Sequence, residues 1–297
     1  MRLVMFQGGD GAAVLGAVTD QGIIMVGGPD DGDVPMTMLP FIDAEPKAWA
    51  RARDELASTH RPAVALDAVN IVAPIERPRR NVFCVGLNYR AHAAESARMA
   101  GQELVMPEYP SLFTKPPSAV IGPNRAIEIV PSISERVDWE VELAVVIGVG
   151  GRDIPAAKAL DHVFGYTIGN DVSARDVQMR HGGQYFKGKG FDTFCPIGPW
   201  IVTADEIPNP GELGLRLRVN GVQKQGSNTR DLIFDVPAII ESLSQGLTLE
   251  AGDIILTGTP EGVGFARTPP EFLKDGDVVE CEIDQIGVLR NPVRAQG

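Results

Sequence analysis

Residues 137–147 read Val137-Asp138-Trp139-Glu140-Val141-Glu142-Leu143-Ala144-Val145-Val146-Ile147. The run alternates and then becomes continuously apolar, the pattern of a strand that enters a sheet at its rim and ends in the core. Residues two apart on a strand share a face, so Glu140 and Glu142 are predicted to point one way and Trp139, Val141 and Leu143 the other. Two carboxylates at the mouth of an apolar strand carry a desolvation cost unless a cation or a proton offsets it. An oxygen-only set suits a hard divalent ion, Mg2+ or Ca2+, with Mn2+ an alternative, and no Cys or His cluster stands nearby for zinc. Asp171, after the apolar run 163–170, is the candidate third carboxylate. The same pattern also fits a solvated edge strand followed by a helix cap.

Outward from this stretch the chain is densely punctuated. With 33 glycines and 23 prolines in 297 residues and no fixed period, it favours many short strands over a bundle or a solenoid. A content of 44% hydrophobic and 22% charged residues excludes a disordered chain. Strands are expected at 3–6, 13–18 and 23–26 and a helix at 46–59, which makes residues 1–70 a small β-rich N-terminal domain. Residues 71–80, where Pro74 and Pro78 bracket mixed charges, read as a linker into a main domain over 81–297. There the patterns predict strands at 82–86, 137–149, 163–168, 200–203, 213–219, 253–257 and 278–286. Helices are expected at 91–100, 155–162, 171–180 with Asp171 as its N-cap, and 236–245. The fold class is α+β, mainly β.

A net charge of −12 repels phosphate backbones and anionic membranes, so neither nucleic acid nor membrane is an expected partner. The three cysteines lack CxxC spacing, which points to a reducing compartment. No signal-like segment or apolar run of membrane length occurs, and a cytoplasmic protein is expected.

Three further segments carry chemistry. His92 and Glu95 are three apart on a predicted helix and share a face, the arrangement of a base and its orienting carboxylate. The stretch 183–190, GQYFKGKG, approaches a phosphate-binding loop but has Gly190 where Ser or Thr belongs, and the nucleotide reading fails. Its Lys189, flanked by Gly188 and Gly190 that let backbone approach a ligand, could with Arg175 and Gln178 hold a small carboxylate. Thr257-Gly258-Thr259-Pro260 follows an apolar strand and has the make-up of an anion cradle.

Taken in order, GLNYRAHAAE (86–95), VDWEVELAVVIG (137–148), NDVSARDVQMR (170–180), GKGFDTFCPIGPW (188–200), SNTRDLIF (227–234) and TGTPEGVG (257–264) resemble the fumarylacetoacetate hydrolase family. Within it, the chain looks most like the domain-containing protein 2 branch. The resemblance implies a mixed β-sandwich roll that pairs as a homodimer. It implies Glu140, Glu142 and Asp171 as metal ligands, with Mg2+ the expected ion and Mn2+ or Ca2+ the alternatives. It places His92 and Glu95 as a catalytic dyad on a flexible lid, Lys189 among the catalytic groups, and Tyr89, Arg175, Gln178, Lys189 and Thr259 against a small keto-acid substrate. The implied activity is hydrolysis of a carbon–carbon bond in an acylpyruvate or β-diketo acid through a stabilised enolate. Oxaloacetate decarboxylation and keto–enol tautomerisation are alternatives on the same scaffold, and a metal-binding module without catalysis is the reading from another class.

Overall fold

A computed structural model describes residues 1–8, 11–27, 34–44, 46–58, 62–99 and 101–296. The 137–147 stretch forms two strands, Val137–Asp138 and Val141–Ile147, interrupted at Trp139 and Glu140. The interruption is satisfied by side chains: the Glu140 N–H donates to Asn170 Oδ1 (3.0 Å) and the Val141 N–H to Gln225 Oε1 (3.0 Å). It lets the chain leave a two-stranded ribbon with Ser173–Ala174 and enter an 11-stranded mixed sheet.

In that sheet Val141–Ile147 lies between Val163–Asn170 and Ile254–Leu256, antiparallel to both, and all seven of its residues are buried. Period two is visible in the packing. Val141, Leu143, Val145 and Ile147 join Trp139 in one core, which includes Leu215, Leu217, Val279 and Ile283 of a second, five-stranded sheet. Ala144 and Val146 face another core with Phe41, Ala52 and Phe164. The chain is therefore mainly β, with two sheets packed face to face and few helices.

The N-terminal strands Arg2–Gln7, Ala13–Thr19 and Gly22–Met25 occur as expected, but they continue the main sheet. Arg2 and Leu3 pair with Val202 and Ile201 of Cys195–Thr203, and the terminal ammonium donates to Thr203 Oγ1 (2.5 Å). The expected linker 71–80 is packed too: Asn70–Val72 pairs with Arg2–Gln7, and Arg80 binds Asp253. A three-stranded ribbon has open edges, and pairing with Cys195–Thr203 closes one.

The predicted helix at 46–59 is Pro46–Ser58, and that at 91–100 is Arg90–Met99; Thr59 and Ala100 lie outside the described residues. Residues 155–162 hold a 3-10 helix, Ala156–His162, and 236–245 the helix Val236–Ser244. The helix expected at 171–180 starts four residues later, as Arg175–Arg180, with Ala174 at its N-cap. Asp171 is therefore not a cap, because residues 173 and 174 are held as strand against Val137–Asp138. Helix Met38–Asp43 and strands Ser111–Lys115, Val222–Asn228 and Gly287–Ala295 went unforeseen. No helix among the described residues is long and apolar enough to cross a membrane.

Candidate active site

Antiparallel register brings the three acids together. Val141 pairs with Asn170, so Glu140, one residue before, meets Asp171, one residue after, and the Asp171 N–H donates to the Glu140 carbonyl (2.9 Å). Glu142 is on the same face as Glu140, and oxygens of all three carboxylates lie within 4.8 Å of one another. All three side chains are buried.

The segment expected to cradle an external anion instead grips this strand. Thr257 and Thr259 hydroxyls donate to the carbonyls of Leu143 and Val141, each at 3.0 Å, and the Gly258 N–H donates to Glu142 Oε2 (2.6 Å). Gly258 has φ +101°, and a Cβ there would lie 2.7 Å from Asn88 Cβ, so only glycine presents that N–H. The cradle's anion is the protein's own glutamate.

Three cations face the acids. Lys189 Nζ donates to Glu140 Oε2 (2.9 Å), Asp171 Oδ2 (2.7 Å) and Ser173 Oγ (2.8 Å). Lys115 Nζ reaches the other oxygen, Asp171 Oδ1 (2.5 Å), and the Val172 carbonyl (3.1 Å). Arg175 donates from Nη2 to Glu140 Oε1 (2.5 Å) and from Nε to Asp138 Oδ2 (3.0 Å). Burial would raise the Glu140 carboxyl, but Lys189, Arg175 and His92 outweigh it and hold it at about 2. Glu142 goes the other way: burial, then Asp171 and Glu140, push its carboxyl well above the ordinary range. Burial works against the Lys189 ammonium, yet Asp171 and Glu140 stabilise it further, so Lys189 stays charged.

The acid triad fits a hard divalent cation by its all-oxygen donors, and the unrelieved repulsion at Glu142 is what such an ion would remove. Glu140, Glu142 and Asp171 are the residues that would hold it.

Lys189 stands on a helix, Tyr185–Lys189, where a loop was expected. A Cβ on Gly188 would lie 2.6 Å from Gln178 Cβ and 2.9 Å from the Ala174 carbonyl. Its glycine therefore lets this helix press against Arg175–Arg180, where a close approach to ligand was expected.

Above the acids sits the helix Arg90–Met99. Asn88 clamps its base, donating to the carbonyls of Phe234 (2.9 Å) and Thr257 (2.7 Å) while accepting from the Phe234 N–H (2.9 Å). His92 Nδ1 is 3.1 Å from Glu95 Oε2, and Glu95 Oε1 accepts from the Gly262 N–H at 3.3 Å. His92, Glu140, Glu142, Arg175, Gln178, Lys189 and Thr259 together line one cavity of about 180 Å³, walled by Phe113, Tyr185 and Phe265. Of the expected site residues, Tyr89, Glu95 and Asp171 do not line it, although Glu95 contacts His92 and Asp171 contacts Lys189. The Tyr89 ring is fully buried in the core, just before helix Arg90–Met99. The Thr259 hydroxyl, already bonded to Val141 and to Gln225 Nε2 (2.9 Å), braces the site from the cavity's edge.

Sequence reasoning missed Lys115, Asp138, Asn88 and Gln225. Asp138 was within reach, since period two extends the face of Glu142 and Glu140 back to it. Lys115 offered no signal: a lysine ending a strand before a proline resembles any surface lysine, and only the pairing of Val82 with Lys115 carries it inward.

Comparison with known proteins agrees with this architecture. The sequence model of the fumarylacetoacetate (FAA) hydrolase C-terminal family matches residues 81–294. The chain belongs to the fumarylacetoacetate hydrolase family and groups with its domain-containing protein 2 branch. It is 44% identical over 296 residues to the mitochondrial oxaloacetate tautomerase fahd2 of Xenopus laevis, covering 99% of this chain and 90% of that one. It is 47% identical over 246 residues to the oxaloacetate tautomerase YisK of Bacillus subtilis strain 168, covering 82% and 79%. Among solved structures it superposes with TM-score 0.79 and 32% identity, over 100% of both chains, on maleylpyruvate hydrolase from Sphingobium sp. SYK-6 in complex with manganese(II) and pyruvate.

Proposed function

We propose that this protein interconverts the keto and enol forms of oxaloacetate, using a divalent cation, Mg2+ or Mn2+, held by Glu140, Glu142 and Asp171. The observation that carries the reading is His92, held by Glu95 at 3.1 Å and lining a small cavity together with Glu140, Glu142, Lys189 and Arg175. Likeness along most of the chain to two oxaloacetate tautomerases supports it over the hydrolysis that the motifs first suggest.

Tautomerisation moves one proton from the carbon beside the ketone to the ketone oxygen and breaks no carbon–carbon bond. When bound, the cation supplies positive charge against the oxygen on which negative charge develops. His92, with Nδ1 oriented by Glu95, exchanges the carbon-bound proton through Nε2. Lys189 and Arg175 supply fixed positive charge toward the substrate's carboxylates, and Lys189, held as an ammonium, acts by charge and hydrogen bonding. Phe113, Tyr185 and Phe265 give the cavity apolar walls, and an apolar surround favours proton exchange over attack of water on the carbonyl.

The test follows the enol's ultraviolet absorbance in freshly dissolved oxaloacetate, with Mg2+ or Mn2+ present and products analysed in parallel. Faster decay with no new carbon products is expected. No acceleration over buffer with either ion, or acceleration matched by release of CO2, overturns it. Cleavage of an acylpyruvate is the second reading, favoured by the likeness to the manganese- and pyruvate-bound maleylpyruvate hydrolase, and it would register in the same assay as two carboxylic acid products.

A further inference from the structure

Asp138 is fully buried and does not line the cavity, yet its carboxylate is saturated with donors. Oδ1 accepts from the N–H groups of Trp139 (2.8 Å) and Gly264 (2.6 Å). Oδ2 accepts from the Phe265 N–H (3.0 Å) and from Arg175 Nε (3.0 Å). With every acceptor direction engaged, it is not a fourth metal ligand.

What those donors do is more informative. Arg175 lies over the Phe265 ring, its guanidinium carbon 4.4 Å from the centroid, and extends to Glu140. The turn Gly264–Ala266, whose backbone Asp138 holds, is the surface against which the lid helix packs. Two residues before it, Gly262 donates the N–H that fixes Glu95, and Glu95 orients His92. The turn is pressed so tightly on Asp138 that a Cβ on Gly264 would lie 2.6 Å from Asp138 Oδ1. One carboxylate thus fixes both Arg175 inside the cavity and the platform on which the lid's proton-transfer pair is seated.

We infer that Asp138 is a positioning residue that couples seating of the His92–Glu95 lid to placement of Arg175. Its kinetic consequence rests on the tautomerase reading above, whereas its effect on the lid does not. Asp138→Asn is nearly isosteric but turns one acceptor oxygen into an NH2 group, which opposes two of the four donors.

The experiment measures amide hydrogen exchange on full-length protein. In Asp138→Asn, exchange of the helix Arg90–Met99 is expected to rise at least about tenfold while the central strands Val141–Ile147 and Val163–Asn170 stay protected. Unchanged lid exchange, or an equal rise throughout the chain, overturns the inference. If Asp138→Asn does not fold, Phe265→Pro read against Phe265→Ala poses the same question from the donor side: both lose the ring and only the first loses the N–H. A looser lid in the proline variant alone is expected, and equal lids overturn it. The kinetic arm is a double-mutant cycle. Asp138→Asn should lower kcat/KM about 30-fold in the wild-type background but only about threefold beside Glu95→Gln, since residues acting as a unit are not additive. Additive losses overturn the coupling. A wild-type protein inactive on oxaloacetate would refute the tautomerase reading and leave the exchange result to decide on Asp138.

Discussion

The buried ammonium of Lys115 lies 2.5 Å from Asp171 Oδ1, on the side of the carboxylate opposite Lys189, and neither side chain reaches solvent. Asp171 therefore sits between two lysines that come from different parts of the chain, 56 residues before it and 18 after. Removing Lys115 leaves a buried carboxylate half-neutralised. Lys115→Met is expected to lower stability by about 3–5 kcal/mol, read from urea denaturation of the metal-free protein. A loss within error of zero would mean that Lys189 alone neutralises Asp171.

Glu142 makes the metal-free protein sensitive to pH. Its folded-state carboxyl is raised, so the native state holds that proton more tightly than the unfolded chain does. Its contribution is complete below the unfolded value, about 4.3, and declines as pH rises from there through the raised folded value. Glu140 has the opposite sign: held at about 2, it contributes above the ordinary range and loses that contribution as pH falls toward 2. Denaturation midpoints of chelator-treated protein should fall with rising pH, and Glu142→Gln should flatten that fall. Added Mn2+ should flatten it in the wild type, through the same carboxylate.

His92 lines the cavity and is not among the acids that would bind the cation. His92→Ala is expected to reduce kcat for tautomerisation by about 10²–10⁴-fold. Cation affinity, measured by calorimetry, should be unchanged. A parallel loss of cation binding would show that the histidine supports the acid triad and not the proton transfer.

Gly188 reports on helix packing under Lys189. A methyl group there would collide with Gln178 Cβ and the Ala174 carbonyl, neither of which is a flexible tip. Gly188→Ala should cost about 1–3 kcal/mol of stability and displace Lys189 from Glu140 and Asp171. Reduced cation affinity together with a lower thermal midpoint would confirm both effects, and wild-type values for the two would refute the packing argument.

Period two was the strongest signal in the sequence. It identified the central strand, separated Trp139, Val141 and Leu143 from Glu140 and Glu142, and made those glutamates metal candidates before any fold was known. It also ran through Asp138, whose position on that face was legible even though its role was not. The interruption at Glu140 was invisible, because what satisfies it comes from Asn170 and Gln225, 30 and 84 residues away. Gly188 read as a loop residue near a ligand, since glycine beside lysine suits a loop as well as a close helix crossing. Tyr89 followed the motif but not the cavity: the motif marks the start of helix Arg90–Met99, and at that point the core takes the ring.

The sequence by itself determined the strand pattern, the order of motifs and the residue types that can carry the chemistry, because each depends on neighbours within a few positions. Tertiary structure alone decided that Glu142 is crowded by like charge while Glu140 is neutralised, that Lys115 is buried, and that the Asp138 carboxylate holds both Arg175 and the turn Gly264–Ala266. Those outcomes depend on burial and on charges brought within hydrogen-bonding distance by antiparallel register and helix packing, and electrostatic energy depends on separation in space, whatever the separation along the chain.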